Sequence, residues 1–79
     1  GVQWFKDAGL WRAGGEEPQP GDIVFFDREG DGTSDHVGIV ESCDGRTVET
    51  IEGNSGDACR RNAYDVDSAS IMGYGTPMY

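Results

Sequence analysis

The chain has 79 residues, 15 of them acidic against 6 basic, and a formal net charge of -9 at pH 7. That balance argues against nucleic acid or an anionic membrane as partner, and plain surface solubility accounts for most of it. A domain this small buries only about 60% of its unfolded surface, so one or two buried aromatics decide whether it has a core.

Residues 1–19 read as the end of a helix followed by a loop. Over Gly1 to Leu10, Val2 and Phe5, with Trp4 beside them, fall on one side of a helix, with Gly9 as a stop. So short a helix cannot stand alone and has the look of the tail of something longer. After Trp11, the stretch Ala13-Gly14-Gly15-Glu16-Glu17-Pro18-Gln19-Pro20 is a polar Gly/Pro-rich loop.

From Pro20 to the end the pattern is a sheet. Gly21-Asp22 turns the chain into Ile23-Val24-Phe25-Phe26, four consecutive apolar residues that predict a central strand covered on both faces. Asp27 to Ser34 is an Asp/Gly loop. Asp27, Glu29 and Asp31 stand at the first, third and fifth places of a weak calcium-loop pattern, with Gly32 at the sixth. The twelfth place, which requires a bidentate Glu, is Gly38, and Asp and Gly are ordinary turn formers, so calcium is a minor reading and no other cofactor is implied. Cys59-Arg60-Arg61-Asn62-Ala63-Tyr64 and Ile71-Met72-Gly73-Tyr74-Gly75 predict two further strands. The sum is α+β, a sheet of about five mainly antiparallel strands over residues 20–79 behind a helical remnant.

The centre of the pattern is Asp35-His36-Val37-Gly38-Ile39-Val40-Glu41, which holds the only histidine, and its answering run Thr47-Val48-Glu49-Thr50-Ile51-Glu52-Gly53-Asn54. Ser42-Cys43-Asp44-Gly45-Arg46 between them is a hairpin signal. A two-residue Asp44-Gly45 loop would set His36 opposite Gly53 and turn Glu52 to the other face. A three-residue Cys43-Asp44-Gly45 loop would pair Ser42 with Arg46 and set His36 directly opposite Glu52. The second register is the expected one, because it alone gives the imidazole a carboxylate partner. A lone histidine at a strand start is ordinarily a plain surface residue.

Two cysteines and one histidine fit neither a zinc site nor a disulfide scaffold. Cys43 at the hairpin tip and Cys59 at the far end of the sheet are expected to lie beyond disulfide reach. No run approaches the ~18 apolar residues of a membrane span and no signal-peptide pattern is present, so the chain reads as soluble.

Four strings, Pro20-Gly21-Asp22-Ile23-Val24-Phe25-Phe26, Asp35 to Glu41, Thr50-Ile51-Glu52-Gly53-Asn54 and Gly73-Tyr74-Gly75-Thr76-Pro77, together resemble the CHAP family of cysteine, histidine-dependent amidohydrolases/peptidases. The resemblance implies a papain-like fold related to the NlpC-type peptidases. It also implies hydrolysis of amide bonds in peptidoglycan, as an N-acetylmuramoyl-L-alanine amidase or a peptide endopeptidase, secreted or cell-wall associated in bacteria or part of a phage lysin. His36 would be the general base, and Glu52 and Asn54 would orient its ring. The family's catalytic cysteine precedes the Pro-Gly-Asp strand at the head of a helix, and this sequence has no cysteine before Cys43. The chain thus resembles the sheet half of the domain and is expected to be inactive alone.

Cys59 is the better substitute nucleophile, since Arg60 and Arg61 favour a thiolate, but an idle thiol is the commoner state. Trp4, Phe5 and Trp11 are expected to close the core rather than to stack on sugars. The partners implied are peptidoglycan and a missing N-terminal half or a second chain, meeting a sheet face left apolar. The competing reading is a non-catalytic binding or interaction module.

Overall fold

A computed structural model describes residues 2–53 and 59–77. Its elements are helix α1 (Val2–Asp7) and strands β1 (Trp11–Ala13), β2 (Ile23–Phe26), β3 (His36–Cys43), β4 (Thr47–Gly53), β5 (Cys59–Asp65) and β6 (Ile71–Gly75). The strands form one sheet in the order β1-β6-β2-β3-β4-β5, with every pair antiparallel. The class is α+β, with six strands among the described residues where the pattern led one to expect about five.

The additional strand is β1, which lies inside the segment read as helix remnant and loop. Its three residues offer no alternation to recognise; they become a strand by pairing with Gly73 to Gly75 of β6. β2 fulfils its apolar run, lying between β6 and β3. Val24 and Phe26 point to an inner face that they share with Val40, Val48, Ile71 and Tyr74, all buried. Phe25 points to the outer face, where its ring meets Phe5 of α1 at 5.8 Å and Trp11 at 5.6 Å.

That contact explains why so short a helix persists. Burial of the Phe5 ring is worth about 2 kcal/mol, which offsets the cost of nucleating a helix of six residues. Gly9 then stops it at φ +74°, a left-handed value that suits glycine at a helix end. Phe5 and Trp11 pack as expected, whereas Trp4 is 53% exposed. Farther along the outer face, Val37 and Ile39 of β3 are also half exposed, so this part of the sheet does present an apolar surface.

Asp22 is buried because the loop before β2 is built on it. Its carboxylate accepts the Gln19 N–H and the Thr76 hydroxyl, each at 3.0 Å, and its backbone carbonyl accepts the Val40 N–H at 2.8 Å. A buried carboxylate is tolerable when its oxygens are satisfied in this way, and here it ties β2, β3 and the C-terminal end of β6 together.

The β3–β4 register differs from both alternatives read from the sequence. The turn centres on Gly45 and Arg46, closed by the Asp44 N–H to the Thr47 carbonyl at 3.3 Å, with Gly45 at φ +94°. Cys43 therefore pairs with Val48 and Ser42 with Glu49, not with Arg46. The register then shifts, so that Val40 faces Thr50 and Ile39 faces Ile51. Glu41 is the extra residue of a β-bulge.

One inner-face group stands out. Tyr74 is fully buried, and its hydroxyl has no hydrogen-bond partner among the described residues. Burial foremost, with Cys43 and Asp22 nearby adding to it, pushes its pKa up to about 12. A buried hydroxyl without a partner costs about 1–3 kcal/mol. Tyr74→Phe is therefore expected to raise the stability of the chain by about 1 kcal/mol, read as a higher urea midpoint at unchanged slope; a lower midpoint would mean that the hydroxyl is satisfied.

Candidate functional site

The Glu41 bulge decides which residues meet. Strand side chains alternate, so facing pairs whose numbers sum to an odd total place two even-numbered residues on opposite faces. The tip pairings Cys43 with Val48 and Ser42 with Glu49 are of that kind, and continued unchanged they would put His36 and Glu52 on opposite sides of the sheet. The extra residue makes the total even from Val40 onward. His36 and Glu52 thereby come to lie together on the inner face, one diagonal step apart rather than directly opposite.

The diagonal is spanned because Gly38 lies between them. Continuing the register by one residue sets Gly38 across from Glu52, and a β-carbon on Gly38 would stand only 2.7 Å from Glu52 Cγ. With no side chain there, Glu52 leans over the glycine to the ring. His36 Nε2 lies 2.8 Å from Glu52 Oε1. A carboxylate only accepts, so this nitrogen carries the proton and donates it to the hydrogen bond. No described residue hydrogen-bonds Nδ1. The ring rests against Phe26 at 5.6 Å between centroids.

Glu52 is held from several sides. Its Oε2 accepts the Thr50 hydroxyl at 2.6 Å and the Tyr64 hydroxyl at 2.8 Å. Its Oε1 accepts the His36 bond and a longer one from Arg28 Nη2 at 3.3 Å. Burial alone would raise the carboxyl pKa, but the bonds from Thr50, Tyr64 and His36 outweigh it and lower the value below the ordinary 4.5. Tyr64 shifts the other way: burial, and then its bond to Glu52, push its pKa up to about 12, so it remains a donor at any neutral pH.

His36, Glu52, Tyr64 and Arg28 line a recess of about 530 Å3 together with Gly53 and with Arg60 and Asn62 of β5. Thr50, Tyr64 and Arg28 were not singled out from sequence. Thr50 sits two residues before Glu52 on the same face, a signal available in the pattern. Tyr64 reaches Glu52 only through the pairing of β4 with β5, which residue patterns do not fix.

The remaining candidates separate. Asn54 lies outside the described residues. Cys59 pairs with Gly53 while its neighbour Arg60 pairs with Glu52, so alternation turns the Cys59 thiol to the face opposite His36. It is no substitute nucleophile in this arrangement. Cys43 packs against the inner core at the other end of the hairpin, across from Val48, roughly 16 Å along β4 from the residue that Cys59 faces. Both cysteines are free.

The calcium-loop residues are turned to other uses. The Asp27 carboxylate accepts the N–H groups of Gly30, Asp31 and Gly32 at 2.8, 3.2 and 2.8 Å, and Asp31 accepts that of Thr33 at 2.9 Å. The bonds to Asp27, that from Gly32 foremost, lower its pKa. Among the described residues no three His, Cys, Asp or Glu side chains are grouped to hold a metal ion.

The family model for the CHAP domain matches residues 1–54, the stretch that holds three of the four recognised strings, both members of the His36–Glu52 pair and the Gly38 between them. The chain belongs to the CHAP family. Membership suggests a function of the peptidoglycan-hydrolase type. No curated protein and no solved structure matches the chain. Among the described residues no helix is long and apolar enough to cross a membrane.

Because the Glu52 pKa is lowered in the folded chain, its ionised form stabilises the fold above the unfolded value of about 4.5, and that contribution is lost as pH falls through the folded value. Glu52→Gln is expected to cost about 1–3 kcal/mol near neutral pH and less in acid. Urea unfolding of both proteins at pH 7 and pH 3 reads the difference; an equal gap at the two pH values would show that the carboxylate charge plays no part.

Proposed function

We propose that this chain carries the general base and the ring-orienting carboxylate of a cysteine amide hydrolase that acts on peptidoglycan, at the amide between sugar and peptide or within the peptide. The observation that carries the reading is the orientation of His36. Its Nε2–H is committed to a buried carboxylate, which leaves Nδ1 to exchange a proton with a thiol. That is the division of labour a nucleophile–base–orienter set requires. Asn54 is the proposed second orienter.

In this mechanism Nδ1 takes the proton of a cysteine thiol, and the thiolate attacks the amide carbon. The imidazolium, stabilised by Glu52, then gives its proton to the leaving amine as the C–N bond breaks. Water, deprotonated by the same nitrogen, hydrolyses the thioester and restores the thiol. The cysteine is supplied from beyond these 79 residues, by an upstream segment or a second chain, so the chain alone is inactive. Action on cell walls places the complete protein outside the cell or in a phage lysin.

The second reading, a non-catalytic binding module, is favoured by one observation: neither Cys43 nor Cys59 presents its thiol beside His36. Cell-wall hydrolysis separates the two readings. A form extended upstream by about 60 residues, to the usual domain size, is expected to be active where the 79-residue chain is not, and to lose at least about a thousandfold with His36→Ala. Cell-wall binding without hydrolysis in both forms would leave the binding module as the account.

A further inference from the structure

We infer that Arg60 and Arg28 form a carboxylate-binding subsite at the mouth of the recess, and that the ligand is a peptide with a free carboxylate close to the amide presented to His36. The inference rests on the reading of the recess as a hydrolase site and names the chemistry of its substrate.

The charge distribution carries it. The chain is strongly acidic, at -9, and has only six basic residues, yet two of its arginines line this one recess. The acid they share it with is Glu52, which is 3% exposed and accepts bonds from Thr50, Tyr64, His36 and Arg28. Its charge is therefore turned inward and largely spent.

Of the two guanidinium groups, that of Arg60 is the less engaged. Arg60 stands across from Glu52 in the β4–β5 register, is exposed, and has no ion pair among the described residues. Its neighbour Arg61, on the opposite face, pairs with Glu41 at 3.0 Å. Arg28 reaches Glu52 only at 3.3 Å, with its side chain 53% exposed, a long contact for a charge-assisted bond. Its guanidinium also lies over the Phe26 ring, 5.8 Å from the centroid, and lines the same recess. Asn62 adds an amide beside them. Planar, permanently charged forks with free N–H groups match a carboxylate in two-point contact, and the rim thus offers an anion a place within the same recess as the His36 ring.

The test is a titration of the 79-residue chain, followed by NMR of the His36 ring and the Tyr64 signals. The probes are an acetylated tripeptide amide with glutamate at its centre and the same peptide with glutamine. The glutamate peptide is expected to bind about fivefold more tightly at low salt, and Arg60→Gln is expected to abolish that preference while Arg61→Gln preserves it. Equal binding of the two peptides, binding of neither, or a preference that survives Arg60→Gln would overturn the inference. Hydrolysis by the extended form that depends on His36, without any carboxylate preference, would remove the subsite and leave the proposed function standing; the preference without hydrolysis would do the reverse.

Discussion

The site depends on one buried carboxylate. Taking the Glu52 charge out of water costs several kcal/mol, and the structure offsets this by directing donors to it from β3, β4, β5 and the loop after β2. Each donor that stabilises the charge also fixes the position of an oxygen, and that fixes the imidazole tautomer. Packing and chemistry are the same interaction here: Tyr64 stacks on Phe26 at 5.0 Å, Phe26 supports the His36 ring, and both Tyr64 and His36 end on Glu52.

The two faces of the sheet divide the remaining work. Outside, Phe5 of α1 and Trp11 of β1 pack on Phe25 of β2, and the apolar surface of Val37 and Ile39 is left open. Inside, the cluster from Val24 to Tyr74 forms the core, and the polar network begins where this cluster ends, at Thr50 and Glu52. The network hangs on the strands that carry it, so the stiffness of the site is that of the strands themselves.

How far the sequence revealed this follows from what each feature needs. β2 was legible because four apolar residues in a row have few other uses in a small domain, and the meeting of His36 with Glu52 was expected because an imidazole base needs a carboxylate, the spacing about the turn leaving their relative face open. The route to that meeting was not legible. The turn closes on Gly45 and Arg46 rather than ending at Ser42, and a bulge leaves no mark in a run such as Ile39-Val40-Glu41-Ser42. β1 escaped notice because three residues carry no period and its partner is far down the chain in β6. Arg28 and Tyr64 escaped because each meets Glu52 from another element, by tertiary contacts that no local pattern encodes. The face that Cys59 takes was likewise not legible, since it is set by the pairing of β5 with β4.

The bulge also separates two parts of the hairpin. The face of His36 is set by the extra residue at Glu41, and the tip beyond it, held by bonds from Arg46 and Thr47 to Asp44 and by the Val66 N–H to the Arg46 carbonyl at 2.8 Å, tolerates substitutions that keep its length. A change in the length of that turn would instead move the register of β3 against β4. The few residues between His36 and Glu41 are under the same limit on length, since a single residue gained or lost there would turn the histidine to the wrong side of the sheet.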